Sequence, residues 1–339
     1  MDSLEKAVRT VFLNDERELR SGWRVCVFVA CLVALTLILR GMVAMAAVFL
    51  PGLRTITEAP PDVQSPAHTI LEFFLDSGVN LLAAIIATYI CARKLEHRSF
   101  GSVGFKPHSG WLYLFAIGTL LGAGTLGLAI AAETVVGSAT FRPQGNSTVQ
   151  LLSTLVPLFA VFLIPAAVEE LIFRGFAFQA LVHNAGPVVA IGIMSVSFGL
   201  AHLGNPNPTL ISTANTVLAG IWLSVAYLVT RSLWFSTALH YSWNLAMVYL
   251  FGLPVSGIST FDRFGVLAGQ DRPPVWVSGG DYGPEGGIAV TVVLILSTFL
   301  VWKSGLFRTS DEMASAIKHG TEEPEYISIL NSETGDHSS

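Results

Sequence analysis

Residues 149–175 read VQLLSTLVPLFAVFLIPAAVEELIFRG: a run of twenty residues without a charge, 149–168, followed within six positions by Glu169, Glu170 and Arg174. About 18 to 20 apolar residues are what a helix needs to cross the hydrocarbon core of a bilayer, so the run reads as a membrane span that ends in charge. Working outward, similar apolar runs cover roughly 25–50, 70–92, 111–132, 188–203, 210–230, 233–253 and 287–302. The fold class expected is an all-α, polytopic membrane helical bundle of about eight transmembrane helices, with the chemistry in the fourth to seventh.

Composition agrees with lipid as the main solvent. Of 339 residues 52% are hydrophobic and only 13% charged, against about 25% charged in soluble domains. A net charge of −5 lacks the basic footprint that nucleic acid requires, so no nucleic-acid partner is expected. Cys26, Cys31 and Cys91 lie in or at the end of apolar runs and read as small hydrophobes rather than a disulfide or zinc framework.

Topology follows from the basic residues, which favour the cytoplasmic side of short loops. With the amino terminus inside, Arg17, Arg20, Arg24, Arg93, Lys94, Arg98, Lys106, Arg174, Arg231, Lys303 and Arg308 fall on the cytoplasmic side with Lys6, Arg9 and Lys318. Only Arg54, Arg142, Arg263 and Arg272 fall outside, and Arg40 sits within the first span. The expectation is a multi-pass protein of the cell membrane with both termini cytoplasmic. The run that follows the polar first 24 residues is too long for a signal-peptide core and reads as a retained anchor. Gly118 and Gly122 make a small-xxx-small pattern that reads as close helix packing.

Ionisable residues within a span cost about 2.5–3.5 kcal/mol each at the bilayer centre, and each is a site hypothesis by default. Glu170 and Arg174 are spaced i, i+4 and can pair on one helical face, while Glu169 points about 100 degrees away and stays available as a general base. The fifth run carries Phe198 and His202 at i, i+4, and the seventh carries His240 and Asn244 at the same spacing. Asparagine is a hydrogen-bond donor suited to a developing oxyanion. Glu169 lies 16 residues before Ala185 and His202 lies 17 after it, so an antiparallel hairpin turning at HNAGP brings both to similar depth. The cavity expected there opens to the cytosol, and the GNPNPT turn at 204–209 then lies within membrane depth, shielded by protein.

The ordered set EExxxR, FxxxH and HxxxN, here Glu169, Glu170, Arg174, Phe198, His202, His240 and Asn244, resembles the CAAX prenyl protease type II family. That family lies within the broader CPBP group of intramembrane proteases, which includes bacteriocin-processing and immunity proteins. The segment RSFGSVGF, 98–105, is similar to one these proteins carry ahead of the core. The resemblance implies hydrolysis of a peptide bond in a membrane-associated protein or peptide, prenylated CAAX-type proteins among them; no cofactor is expected, since the HExxH spacing of zinc peptidases is absent. It implies Glu169 as the base that activates water with His202 helping to orient it, His240 and Asn244 as the oxyanion site, and Glu170 and Arg174 as electrostatic and structural support. The residues alone do not separate the roles of the two histidines.

The chain then divides into a cytoplasmic segment 1–24, amino-terminal transmembrane helices and loops 25–148, a CAAX protease-like core 149–253, an extracytoplasmic loop 254–286, a last transmembrane helix 287–304 and an acidic, disordered cytoplasmic tail 305–339. The Gly- and Pro-containing loop reads as a flexible connector without a catalytic role. Alternatives are a zinc metalloprotease with Glu169, His202 and His240 as ligands, although HExxH spacing is absent, a non-catalytic immunity or membrane binding protein, and a transporter, although no repeated halves are seen.

Overall fold

The computed structural model describes residues 11–14, 18–58 and 66–318, the side chains of 58, 66 and 316–318 excepted. Its helices in chain order are α1 (Ser21–Phe49), α2 (Pro51–Glu58), α3 (Pro66–Leu95), α4 (Trp111–Val135), α5 (Thr148–Phe173), α6 (Phe176–Ala185), α7 (Pro187–Ala201), α8 (Leu210–Thr230), α9 (Leu233–Leu245), α10 (Val275–Ser278), α11 (Ile288–Lys303) and α12 (Asp311–Lys318). Two short strands, β1 (Ala139–Pro143) and β2 (Leu267–Asp271), pair antiparallel with Ala139 opposite Asp271. The protein is a polytopic all-α bundle whose helices carry large apolar side chains on their outer faces, among them Leu37, Met42, Leu120, Leu128 and Leu296. Helices apolar on every side are what a lipid surround selects.

Six helical stretches among the described residues are long and apolar enough to cross a membrane: Ser21–Phe49, Ala67–Leu95, Trp111–Val135, Thr148–Ala185, Pro187–Gly204 and Leu210–Thr230. The expected polytopic bundle is present, with these six long spans and, among the described residues, one shorter apolar helix, α11. α11 has 16 residues, and α9 has 13 before a wide π turn at Ala246–Leu250. The run through 253 stays apolar, but its end leaves the helix to meet the following loop, where the Val266 N–H donates to the Tyr249 carbonyl at 2.7 Å.

α4 and α9 pack tightly because Gly118 and Gly122 remove side chains from their crossing. A Cβ on Gly118 would come within 2.9 Å of the Ala238 Cβ, and one on Gly122 would overlap the Leu239 carbonyl and the Ser242 hydroxyl. At about 100 degrees per residue, this face of α9 is roughly opposite the one bearing His240 and Asn244, so the tight crossing presses those two inward. α5 is interrupted at Arg174 and Gly175, and α6 continues to the turn at Gly186, from which α7 returns.

Two expectations about connections are overturned. The 254–286 loop is a folded cover: Phe261 and Tyr282 are buried, and β2 joins β1. Asn215 of α8 donates to the carbonyls of Glu285 and Gly287, both at 2.8 Å. The loop also lies against the 204–209 turn, since a Cβ on Gly257, which has φ +82°, would overlap the Pro206 carbonyl. It thus covers part of the turn that was expected to need shielding. The tail expected to be disordered from 305 is ordered through the last described residues, because its apolar side chains find partners. Phe307 and Met313 are buried, the Phe307 ring sits 4.8 Å from that of Phe235, and the Glu312 carboxylate accepts the Ser109 N–H at 2.8 Å. The remainder of that tail, 319–339, lies outside the described residues, as do residues 1–10 of the amino-terminal segment.

Candidate active site

Glu169 and Glu170 stand in the last turn of α5, and their neighbouring positions send them to different surroundings. Glu170 is buried against Arg174, with Nη1 to Oε1 at 3.0 Å. Arg174 is the last residue before the chain leaves the helix. Its Nη2 donates to the Gly220 carbonyl at 3.0 Å and its Nε to the Ser224 hydroxyl at 3.4 Å, both on α8. Its guanidinium also lies over the Phe198 ring, 4.7 Å from the centroid. The expected pair is present, and it joins α5 to α7 and α8.

The same Glu170 Oε1 lies 3.0 Å from His240 Nδ1. A carboxylate paired with arginine accepts hydrogen bonds only, so His240 Nδ1 carries a proton and donates it. His202 caps α7, and its Nδ1 lies 2.8 Å from the Phe198 carbonyl, again a partner that can only accept. Both rings therefore present Nε2 as the atom that gains or loses a proton. Both Nε2 atoms face Glu169: its Oε2 is 3.8 Å from that of His240 and 3.9 Å from that of His202. Phe198 fixes the spacing of the two rings, with its centroid 4.7 Å from that of His202 and 5.9 Å from that of His240.

Three helices thus bring Glu169, His202 and His240 together, and Asn244, one turn beyond His240, lines the same cavity. This chamber of about 310 Å³ is walled by Phe162, Phe173, Ala219, Trp222, Leu223 and Leu294 among others. The Glu169 side chain is 32% exposed where Glu170 is fully buried, although its Oε2, facing the two rings, is itself buried and has no direct hydrogen-bond partner. Glu169 also borders a second cavity, lined by Thr36, Phe73, Asp76, Ser77 and Asn80 from α1 and α3. Among the described residues, no group of three or more His, Cys, Asp or Glu side chains is gathered as metal ligands.

Sequence reasoning missed part of the lining. Asn205, Asn215, Ser256, Phe261 and Glu285 all face the chamber. Asn215 stands as a polar amide within an apolar span, a signal that could have marked it. Glu285 had none, because a carboxylate in a Gly- and Pro-rich loop looks like any solvated one.

Fold and site together define a multi-pass helical membrane protein with a carboxylate and two histidines converging on a partly open cavity. Residues 151–246, the stretch holding all seven motif residues, match a family model described as type II CAAX prenyl endopeptidase Rce1-like. The resemblance seen in the motifs is borne out over that stretch. No curated protein matches the chain, and no solved structure does.

Proposed function

We propose that this protein is an intramembrane endopeptidase that hydrolyses a peptide bond of a membrane-associated protein or peptide, with water activated by Glu169. The carrying observation is the convergence of Glu169 Oε2 with two imidazole Nε2 atoms at 3.8 and 3.9 Å. Those separations exceed a direct hydrogen bond and suit a water held between the carboxylate and the rings. His202 orients the water, Glu169 takes its proton as it attacks the scissile carbonyl, and Glu169 then gives that proton to the amide nitrogen as the intermediate collapses and the C–N bond breaks. The tetrahedral oxyanion is met by Asn244 and by His240, which donates from Nε2 when its ring carries both protons. Glu170 holds the His240 ring in register through Nδ1, and Arg174 compensates the buried Glu170 charge. A prenylated CAAX-type protein is the substrate that the family description favours. The distribution of basic residues favours the cell membrane with both termini cytoplasmic.

The test compares membrane proteomes of cells carrying the wild-type protein and Glu169→Ala. A cleavage product present only with wild type is expected. Equal proteomes and an unchanged phenotype would instead fit a non-catalytic binding or immunity protein. The zinc alternative, with Glu169, His202 and His240 as ligands, is separated by exhaustive chelation of the purified protein: cleavage that is lost and then restored by zinc would replace the proposed mechanism.

A further inference from the structure

Glu285 lies in the loop that covers the chamber, and all its acceptors are engaged. Its Oε1 accepts the Trp243 indole N–H at 3.0 Å. Its Oε2 accepts the Ser256 backbone N–H and the Ser256 hydroxyl, each at 2.7 Å. Its carbonyl accepts from Asn215 of α8 at 2.8 Å, and the Asn215 Oδ1 in turn accepts from Thr291 of α11 at 2.6 Å. One residue therefore joins α8, α9, α11 and the start of the loop.

The bond to Trp243 is the one that reaches the chemistry. Trp243 immediately precedes Asn244, and its ring packs edge-on against Trp222, centroids 5.9 Å apart, on the chamber wall. Two residues after Asn244 the helix opens into the π turn, where the Phe251 N–H reaches the Ala246 carbonyl. Single π turns within α-helices recur at functional sites because they change the rotation of the residues around them. The regular ladder holds to Ala246, whose N–H still reaches the Ser242 carbonyl, and gives way just beyond it, so the bond from Glu285 adds an anchor outside the helix where the ladder changes. We propose that Glu285 is a positioning residue for the peptidase reaction: through the Trp243 indole it fixes the rotation of α9 at the start of the π turn, and so the place of the Asn244 amide. This rests on the peptidase reading.

The test uses the full-length protein in lipid nanodiscs and a quenched-fluorescent peptide spanning the cleavage site found in the Glu169→Ala comparison. Glu285→Ala is expected to lower kcat on the order of 10²-fold, the scale of a misplacement near 1 Å, with KM little changed. Glu285→Gln keeps an acceptor for the indole and is expected to recover much of the rate. Trp243→Phe removes only the donor among hydrogen-bonding groups. It should lower kcat as well, and adding it to Glu285→Ala should cost no more than Glu285→Ala alone. A fall in thermal stability with kcat unchanged, or additive effects of the two substitutions, would overturn the positioning role while leaving the peptidase reading intact. Wild type and Glu169→Ala both failing to cleave would overturn both.

Discussion

Replacing Gly122 with alanine adds one methyl group at the crossing of α4 and α9. The new Cβ would stand 3.0 Å from the Leu239 carbonyl carbon and closer still to its oxygen and to the Ser242 hydroxyl. Carbon contacts are comfortable at about 3.5–4.0 Å, so the helices must part by about 1 Å, and backbone cannot swing aside as a flexible side chain would. His240 and Asn244 ride on α9, and a displacement of about 1 Å in a catalytic group is worth on the order of 10²-fold in rate. The same helix supplies the control, since a Cβ on Gly124 or Gly127 meets nothing within 4 Å. Alanine there is expected to preserve activity and to stabilise the helix by roughly 0.5–1 kcal/mol. Peptide cleavage in nanodiscs and thermal unfolding of the three variants make the comparison. Gly122→Ala cleaving as fast as Gly124→Ala would refute the claim that the crossing sets the position of the site.

Two further outcomes are expected. Glu170→Gln leaves Arg174 charged and buried, so it is expected to destabilise the fold by about 3–5 kcal/mol as well as to impair cleavage, and a double substitution with Arg174→Met should recover stability in thermal unfolding but not activity. On the loop, burial with the added repulsion of Asp281 pushes the Asp271 carboxyl from 3.8 up to about 7. The folded state therefore holds this proton more tightly than the unfolded one. Its contribution to stability is complete below about pH 4, declines as pH rises, and is lost once pH passes about 7. The protection factor of the 267–271 amides, with the intrinsic pH dependence of amide exchange divided out, should fall as pH rises from 4 to 8 in wild type and stay level in Asp271→Asn.

Much of the site was legible because helices convert sequence spacing directly into shared faces. Glu170 with Arg174, and His240 with Asn244, could be placed from i, i+4 spacing alone, and the hairpin arithmetic put Glu169 and His202 at one depth. The same regularity exposed the apolar runs and the Gly118 and Gly122 crossing. What stayed hidden was irregular backbone. The cover formed by 254–286 has no period to read, so its carboxylate and its apolar anchors looked like solvent-facing loop. The docked segment after 305 carries apolar anchors, such as Phe307 and Met313, within a polar stretch, too sparse to outweigh its charge. The shortness of α9 was invisible because the residues leaving the helix are as apolar as those within it.

The chamber is lined from two stretches of the chain. The carboxylate and the histidines fall within 151–246, the stretch a family model recognises, whereas Val255, Ser256, Ile258, Phe261 and Glu285 line the same space from beyond that stretch. The family match therefore covers the candidate reacting groups but not the loop that lines the cavity beside them. On the proposed peptidase reading, replacing this cover is a route to altered selectivity that leaves Glu169, His202, His240 and Asn244 untouched.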